Sequence, residues 1–335
     1  MRIAHIYATS AKRNSGDFLI GIATKKYFLE EILKTKDKAE FIDINCRKPE
    51  NFTETKIQEL NTFDYLIIGA GGLILPDSSP NKISGWQLHI KQSLYQLIQV
   101  PIYVISIGYN LFYNQNINMP HKNTNLQEKF RKKLFTNNIS TLIQKSIHFT
   151  LRHKHDVFHL QELIGDYNLK YEMCPTVWYV NKYWTKSKGD LIAIEVKDDR
   201  KWRRYYKIGK ENFYNQLIFF IFKALEKGKK ICYLSHDGSN DFYNYIKTRH
   251  INIPYLDNSV GDEELIKKNY SKIGILLCSA GHSQMIGYAN GIKIISMVSH
   301  PKLHNFCYDI NNTNYVLINK EKNVGEKLLH LTFNT

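Results

Sequence analysis

Polar and basic residues recur in the second half of the sequence, each time immediately after an apolar segment has ended. Cationic side chains bind phosphate and carboxylate groups. Small residues that open a helix present main-chain N–H groups and the positive end of the helix dipole to the same anions. The pattern therefore predicts a site for an anionic donor substrate, formed by Lys197, Arg200, Arg203, Arg204, His236, Ser279, Gly281, Ser283, His300 and Lys302.

Two residues have the chemistry for proton transfer. Asp17 closes the stretch Asn14-Ser15-Gly16-Asp17, between the first apolar run and the first helical pattern, and His282 lies at the start of a later helix. A carboxylate can act as the base that activates a hydroxyl, and an imidazole can act as an acid or stabilise a leaving phosphate. Each residue also has a structural reading, Asp17 as a helix cap and His282 as a hydrogen-bonded turn residue.

Small residues in the first half would leave room for a second substrate. A glycine-rich turn follows the third predicted strand, and an asparagine follows the fourth. The glycines match neither the dinucleotide fingerprint nor the phosphate loop of ATPases, and no cofactor or metal-ligand motif is recognisable, so neither a cofactor nor a metal is expected. The residues predicted on the acceptor side are Asn14, Ser15, Gly16, Gly71, Gly72 and Asn110.

Apolar runs and helical patterns alternate along the whole chain, with an interruption at residues 178–188 that reads as a linker. Repeated strand–helix units predict parallel, doubly wound sheets, whose ligands bind beyond the carboxyl ends of the strands. We therefore expect an α/β protein with two Rossmann-like domains and parallel sheets facing a cleft. The expected boundaries are 1–178 for the acceptor-side domain and 189–320 for the donor-binding domain, with a helix in 321–335 that could pack back on the first.

The composition bears on the partners and the cellular location expected of the protein. The 335 residues carry 46 Lys and Arg against 31 Asp and Glu, a formal charge of +15 spread along the chain without a nucleic-acid recognition motif, so no nucleic-acid partner is expected. The five cysteines form no CxxC pair, and no apolar run is long enough to span a bilayer. These features predict a cytoplasmic protein, with peripheral attachment to the inner face of the membrane left open.

Several motifs together resemble the polysaccharide pyruvyl transferase family. Asn14-Ser15-Gly16-Asp17-Phe18-Leu19-Ile20 is similar to its N-terminal signature, and the segments 63–72, 151–152 and 174–176 are similar to its next blocks in order. The stretch from Gly281-His282-Ser283 to Lys302 is similar to its final block.

The resemblance implies a GT-B-like fold and a bacterial enzyme of capsule or exopolysaccharide assembly that transfers pyruvate from phosphoenolpyruvate to sugar hydroxyls. Ala280 and Lys197 stand where the family has arginines, so two alternatives stay open. One is a GT-B glycosyltransferase that uses a nucleotide-activated sugar such as CMP-sialic acid or a related keto-sugar. The other is a non-catalytic glycan-binding member. The acceptor glycan and the oligomeric state are not encoded in any motif.

Overall fold

A computed structural model of the protein describes residues 1–9, 14–75, 80–112, 128–165, 167–238 and 240–334. Contacts divide these residues into two compact units. The first contains residues 1–9 and the described part of 20–175, and the second contains residues 14–19 and the described part of 176–334. The start of the first helix is thus grouped with the second unit.

The first unit is built on a parallel sheet with the strand order β2-β1-β3-β4-β5-β6 in the described chain. The strands are β1 (Arg2–Tyr7), β2 (Glu40–Asn45), β3 (Tyr65–Ile74), β4 (Ile102–Tyr109), β5 (Ser146–Leu151) and β6 (Lys170–Tyr171). The helices that accompany them are α1 (Ser15–Tyr27), α2 (Glu54–Leu60), α3 (Glu128–Lys145) and α4 (Lys154–Ile164). The central strands are apolar on both faces because helices cover both sides of the sheet.

The second unit has its own parallel sheet, with the order β12-β11-β10-β7-β8-β9 in the described chain. The strands are β7 (Leu191–Glu195), β8 (Ile231–Ser235), β9 (Tyr255–Asp257), β10 (Ile273–Cys278), β11 (Lys293–Val298) and β12 (Tyr315–Leu317). The helices are α5 (Pro175–Tyr183), α6 (Lys201–Arg204), α7 (Lys210–Glu226), α8 (Asp241–Lys247), α9 (Glu263–Tyr270), α10 (Gly281–Ala289), α11 (Pro301–Asp309) and α12 (Val324–Phe333). The predicted α/β class with two parallel sheets is confirmed.

One predicted helix is wrong. The pattern of residues 85–98 favours a helix, but the structure has turns there and a short 3₁₀ segment, Gln92–Leu97. The side-chain oxygen of Asn81 accepts the N–H groups of Ile83 and Ser84, and Gly85 has a φ of +80°. These local bonds replace the helical ones, as Asn side chains and positive φ commonly do.

Three helices were not predicted, α5, α6 and α11, and two of them, α5 and α11, begin with a proline. Residues from 178 onward, read as a linker, continue α5, in which Val177 and Val180 are buried. Proline is favoured in the first turn of a helix, where its missing N–H costs nothing. That signal was available in the sequence at Pro175 and Pro301.

The last helix packs within the second unit. Leu328 and Leu331 of α12 are buried in the same core cluster as Leu217 and Phe220 of α7. The apolar face of α12 is therefore used within the core of this unit. Among the described residues, no helix is both long and apolar enough to cross a membrane.

Candidate functional site

The predicted donor residues follow neighbouring strands of the second sheet. The chain runs from β7 outward to β9 and then returns to pair β10 with β7, so the direction of progression reverses between β7 and β10. In open parallel sheets this switch point is where ligands bind. The loops that follow β7, β8, β10 and β11 therefore carry the site in this unit.

A partly buried carboxylate organises the basic run after β7. Asp199 pairs with Arg204, whose Nη2 lies 2.8 Å from Oδ1, and with Arg200, whose Nη2 lies 2.7 Å from Oδ2. Arg204 is fully buried and also donates from Nη1 to Ser299 Oγ at 2.9 Å. Burial alone would raise the pKa of Asp199, but Arg204, with Lys197 and other nearby cations, holds it well below its usual range. Asp199 is thus a permanent counter-ion for two predicted donor-binding arginines.

The remaining basic residues, Lys197, Arg203 and Lys302, differ in what they contact. Lys197 forms an ion pair with Asp237, while the guanidinium of Arg203 lies 4.6 Å from the centre of the exposed Trp202 ring. Lys302 runs past Gly281 at the start of α10, since a Cβ placed on Gly281 would lie 3.4 Å from Lys302 Cε. The structure therefore brings Lys302, rather than Arg203, to the helix start.

A second carboxylate, Glu195, which was not predicted as a site residue, is fully buried and holds the turn before α10. Glu195 Oε2 accepts the main-chain N–H groups of Ser279 and Ala280, both at 2.8 Å. Burial raises the pKa of Glu195 to about 7. The signal in the sequence was an acidic residue at the end of an apolar strand, a position that is seldom charged without a partner.

Helix α10 begins without a side-chain cap. Its N-cap residue is Ala280, whose methyl side chain cannot accept a hydrogen bond from the first turn. Gly281 and Ser283 of that turn are buried. The first turn of a helix has N–H groups with no partner inside the helix, and these suit an oxyanion.

Two site histidines are held neutral. Burial lowers the pKa of His236 to about 4. Burial, assisted by Lys302 and Arg204, holds the pKa of His300 well below its usual range. His300 caps α11, since its Nδ1 accepts the N–H of Lys302 at 3.2 Å. Positive charge at this edge therefore comes from lysine and arginine side chains.

The stretch Asn14-Ser15-Gly16-Asp17 packs on the histidines of the second unit. Ser15 Oγ lies 2.8 Å from His236 Nδ1 and 2.9 Å from its carbonyl oxygen, and Ser15 N donates to the same carbonyl at 3.1 Å. A Cβ on Gly16 would overlap the His282 ring, so only glycine fits at this position. The segment predicted on the acceptor side thus contacts both His236 and His282.

The cap of α1 is Asn14. Its side-chain oxygen accepts the N–H groups of Gly16 at 3.0 Å and of Asp17 at 3.3 Å. Asp17 lies in the first turn of α1 and is half-buried. The capping role expected of Asp17 therefore belongs to Asn14, and Asp17 is one residue away from the glycine that touches His282.

The other predicted acceptor residues lie in the first unit, near the carboxyl ends of β3 and β4. Gly71 and Gly72, predicted in a turn after the third strand, lie within β3, which continues to Ile74. Gly71 has a φ of +116°, which favours glycine, and Gly72 lies beside Asn110. Asn110 is buried, and its side-chain oxygen accepts from Arg152 at 3.3 Å. Among the described residues, no group of three or more His, Cys, Asp or Glu side chains is placed to hold a metal ion.

Comparison with solved structures identifies the fold. A putative UDP-N-acetylglucosamine 2-epimerase from Listeria monocytogenes aligns with a TM-score of 0.56 and 11% identity, over 99% of this chain and 87% of its own. The UDP-GlcNAc 2-epimerase from Neisseria meningitidis, solved bound to UDP-GlcNAc, aligns with a TM-score of 0.54 and 11% identity, over 99% and 91% of the two chains. The protein has the two-sheet GT-B-type fold of these structures.

No family model matches the sequence. A search of curated proteins finds no match either. The resemblance to polysaccharide pyruvyl transferases therefore stays a prediction from the motifs.

Proposed function

We propose that the protein is a glycosyltransferase that binds a nucleotide-activated sugar at the carboxyl edge of the second sheet and transfers the sugar to a glycan hydroxyl. The observation that carries the choice of donor is the pairing of the basic residues. Arg200 and Arg204 share Asp199, and Lys197 is paired with Asp237. We therefore assign anion recognition to the main-chain N–H groups at the start of α10, beside which Lys302 lies.

This arrangement suits a phosphate-linked donor better than a small carboxylate. Phosphoenolpyruvate presents a carboxylate and a phosphate close together, for which arginine forks are the matching donors. Ala280 stands at the position where such an arginine was expected, and Arg204 is fully buried against Asp199 and Ser299. A helix start with an adjacent lysine instead suits the phosphates of a nucleotide sugar.

Asp17 and His282 complete the proposed chemistry. Asp17 takes the proton of the acceptor hydroxyl as its oxygen attacks the anomeric carbon, and the bond from that carbon to the donor phosphate oxygen breaks. His282, in the first turn of α10, stabilises or protonates the departing phosphate. Gly16 supports this assignment, because its lack of a Cβ lets the Asp17 turn rest against His282.

Pyruvyl transfer from phosphoenolpyruvate is the second candidate. It is favoured by the order and spacing of the sequence blocks that resemble pyruvyl transferases. In that reaction the same base would activate a sugar hydroxyl, and the anionic site would hold phosphoenolpyruvate. A non-catalytic glycan-binding protein is the remaining alternative.

Calorimetric titration with UDP, CMP and phosphoenolpyruvate separates these candidates. We expect UDP or CMP to bind, and Lys302→Ala to weaken that binding at least about tenfold, since hydrogen bonds to charged groups are worth about 1.5–3 kcal/mol. Lys327→Ala, which removes an exposed lysine from α12, is the matched control and leaves the affinity unchanged.

Each other outcome selects another candidate. Binding of phosphoenolpyruvate without UDP or CMP would replace glycosyl transfer by pyruvyl transfer. Absence of binding for all three compounds would favour the glycan-binding alternative.

A further inference from the structure

Arg152 is a buried cation at the carboxyl edge of the first sheet. It directly follows β5, its exposed fraction is 4%, and its main-chain N–H donates to Ile107 at 3.1 Å. The guanidinium has a single hydrogen bond within the described chain, from Nη2 to the side-chain oxygen of Asn110 at 3.3 Å. Its buried Nε has no hydrogen-bond partner there, and no described carboxylate pairs with it.

This charge needs compensation. Arginine stays protonated in proteins, and a buried charge without a partner is costly unless an opposite charge is supplied. The guanidinium that follows β7 in the second unit, Arg204, has such a partner in Asp199. Within the described residues Arg152 has only the neutral amide of Asn110, so its counter-charge has to come from elsewhere.

Two glycines leave space for this group. A Cβ on Gly108 would lie 2.9 Å from Arg152 Cζ, so the guanidinium rests directly on the Gly108 backbone. A Cβ on Gly72 would overlap the Asn110 side-chain nitrogen and would lie 3.7 Å from Arg152 Nη2. Gly72 itself is partly exposed, whereas Arg152 and Asn110 are buried.

We propose that Arg152, Asn110 and Gly72 form an oxyanion-binding site in the first unit. The guanidinium and the amide nitrogen are both donors, and their convergence over a glycine suits one carboxylate or phosphate group. If the proposed function is right, the ligand is the acceptor, which makes it a glycan that carries a uronate or a phosphate. The identification of the ligand as the acceptor rests on the proposed function, whereas the oxyanion site itself does not.

The side-chain Nε–H resonance of Arg152 in the arginine-¹⁵N-labelled full chain tests the proposal. The probes are inorganic phosphate and glucuronate, with glucose as the uncharged control, and the resonance is assigned through its own side-chain carbons. We expect a saturable shift with phosphate or glucuronate and none with glucose. A shift with phosphate alone indicates a phosphate ligand, and a shift with glucuronate alone indicates a carboxylate.

Two variants make the result specific to this site. Gly72→Ala fills the space and is expected to weaken the response at least tenfold, whereas Lys302→Ala leaves it unchanged. Persistence of the Arg152 shift when the second unit binds neither nucleotide nor phosphoenolpyruvate supports the site and rejects the proposed function. An Arg152 resonance that neither anion moves, or that responds equally in Gly72→Ala, overturns the site.

Discussion

Asn14 and Asp17 have different roles in the stretch Asn14-Ser15-Gly16-Asp17, and these roles decide how the stretch is interpreted. A sequence pattern that ends in Asp before a helix is consistent with either a cap or a catalytic carboxylate. The structure gives the cap to Asn14, through its bonds to the N–H groups of Gly16 and Asp17. As an acidic residue in the first turn of α1, Asp17 also interacts favourably with the positive end of the helix dipole.

Asp17→Asn tests the proposed base. We expect turnover to fall by about 10²–10⁴, the usual contribution of general base catalysis. The lost interaction with the helix dipole is expected to lower the stability by about 0.3–1 kcal/mol. Asn14→Ala is the matched control, expected to cost about 0.5–2 kcal/mol through the lost cap. Thermal unfolding and turnover are measured for both, and a large stability loss with retained turnover in Asp17→Asn would assign it a structural role.

At the scale of elements, the local sequence pattern predicted the positions of the strands. It did not predict which residues from distant segments bond to each other at the candidate site. Buried strands are short apolar runs, so their positions could be predicted from the sequence, and residues at their ends fall at one sheet edge by topology alone. The role of Glu195 was not predicted, because its two hydrogen-bond partners, Ser279 and Ala280, lie in a turn 84 and 85 residues away in the sequence. Hydrogen bonds between residues so far apart in the sequence produce no periodic pattern from which they could be predicted.

Glu195→Ala is expected to loosen the turn between β10 and α10. Two buried N–H groups lose their acceptor, which costs about 1–3 kcal/mol for each group left unsatisfied. We expect a lower melting temperature and weaker binding of the donor probe. Glu264→Ala, at a side chain that is 82% exposed on α9, serves as the control. An unchanged melting temperature would mean that the turn is held without Glu195.

At the scale of the whole molecule, both units contain histidines that are kept neutral. Burial lowers the pKa of His5 in the first unit to about 4, as it does for His236 in the second. Between about pH 4 and 6.5 the unfolded chain therefore binds more protons than the folded one, so acid destabilises both units. Glu195 acts with the opposite sign, because its pKa is raised to about 7 and the folded state takes up a proton first.

Acidification should therefore lower the melting temperature. Three histidines, His5, His236 and His300, oppose one glutamate, so we expect a progressive loss of stability from pH 6.5 towards pH 4 and a plateau only above about pH 8, where Glu195 has also lost its proton. Glu195→Gln removes the opposing contribution and is expected to steepen the loss. Unfolding followed across this pH range checks both expectations. A melting temperature that rises on acidification would contradict them.

The contact between Ser15 and His236 has a consequence for synthesis of the chain. The two residues are 221 positions apart, yet Ser15 is grouped with the unit that His236 belongs to. On the ribosome, the segment 14–19 is made before His236, and the residues between them are added at about 5–20 per second. The start of α1 can bond to His236 only after the chain has been made beyond that residue. A chain that terminates before His236 therefore lacks the contact that holds the start of α1.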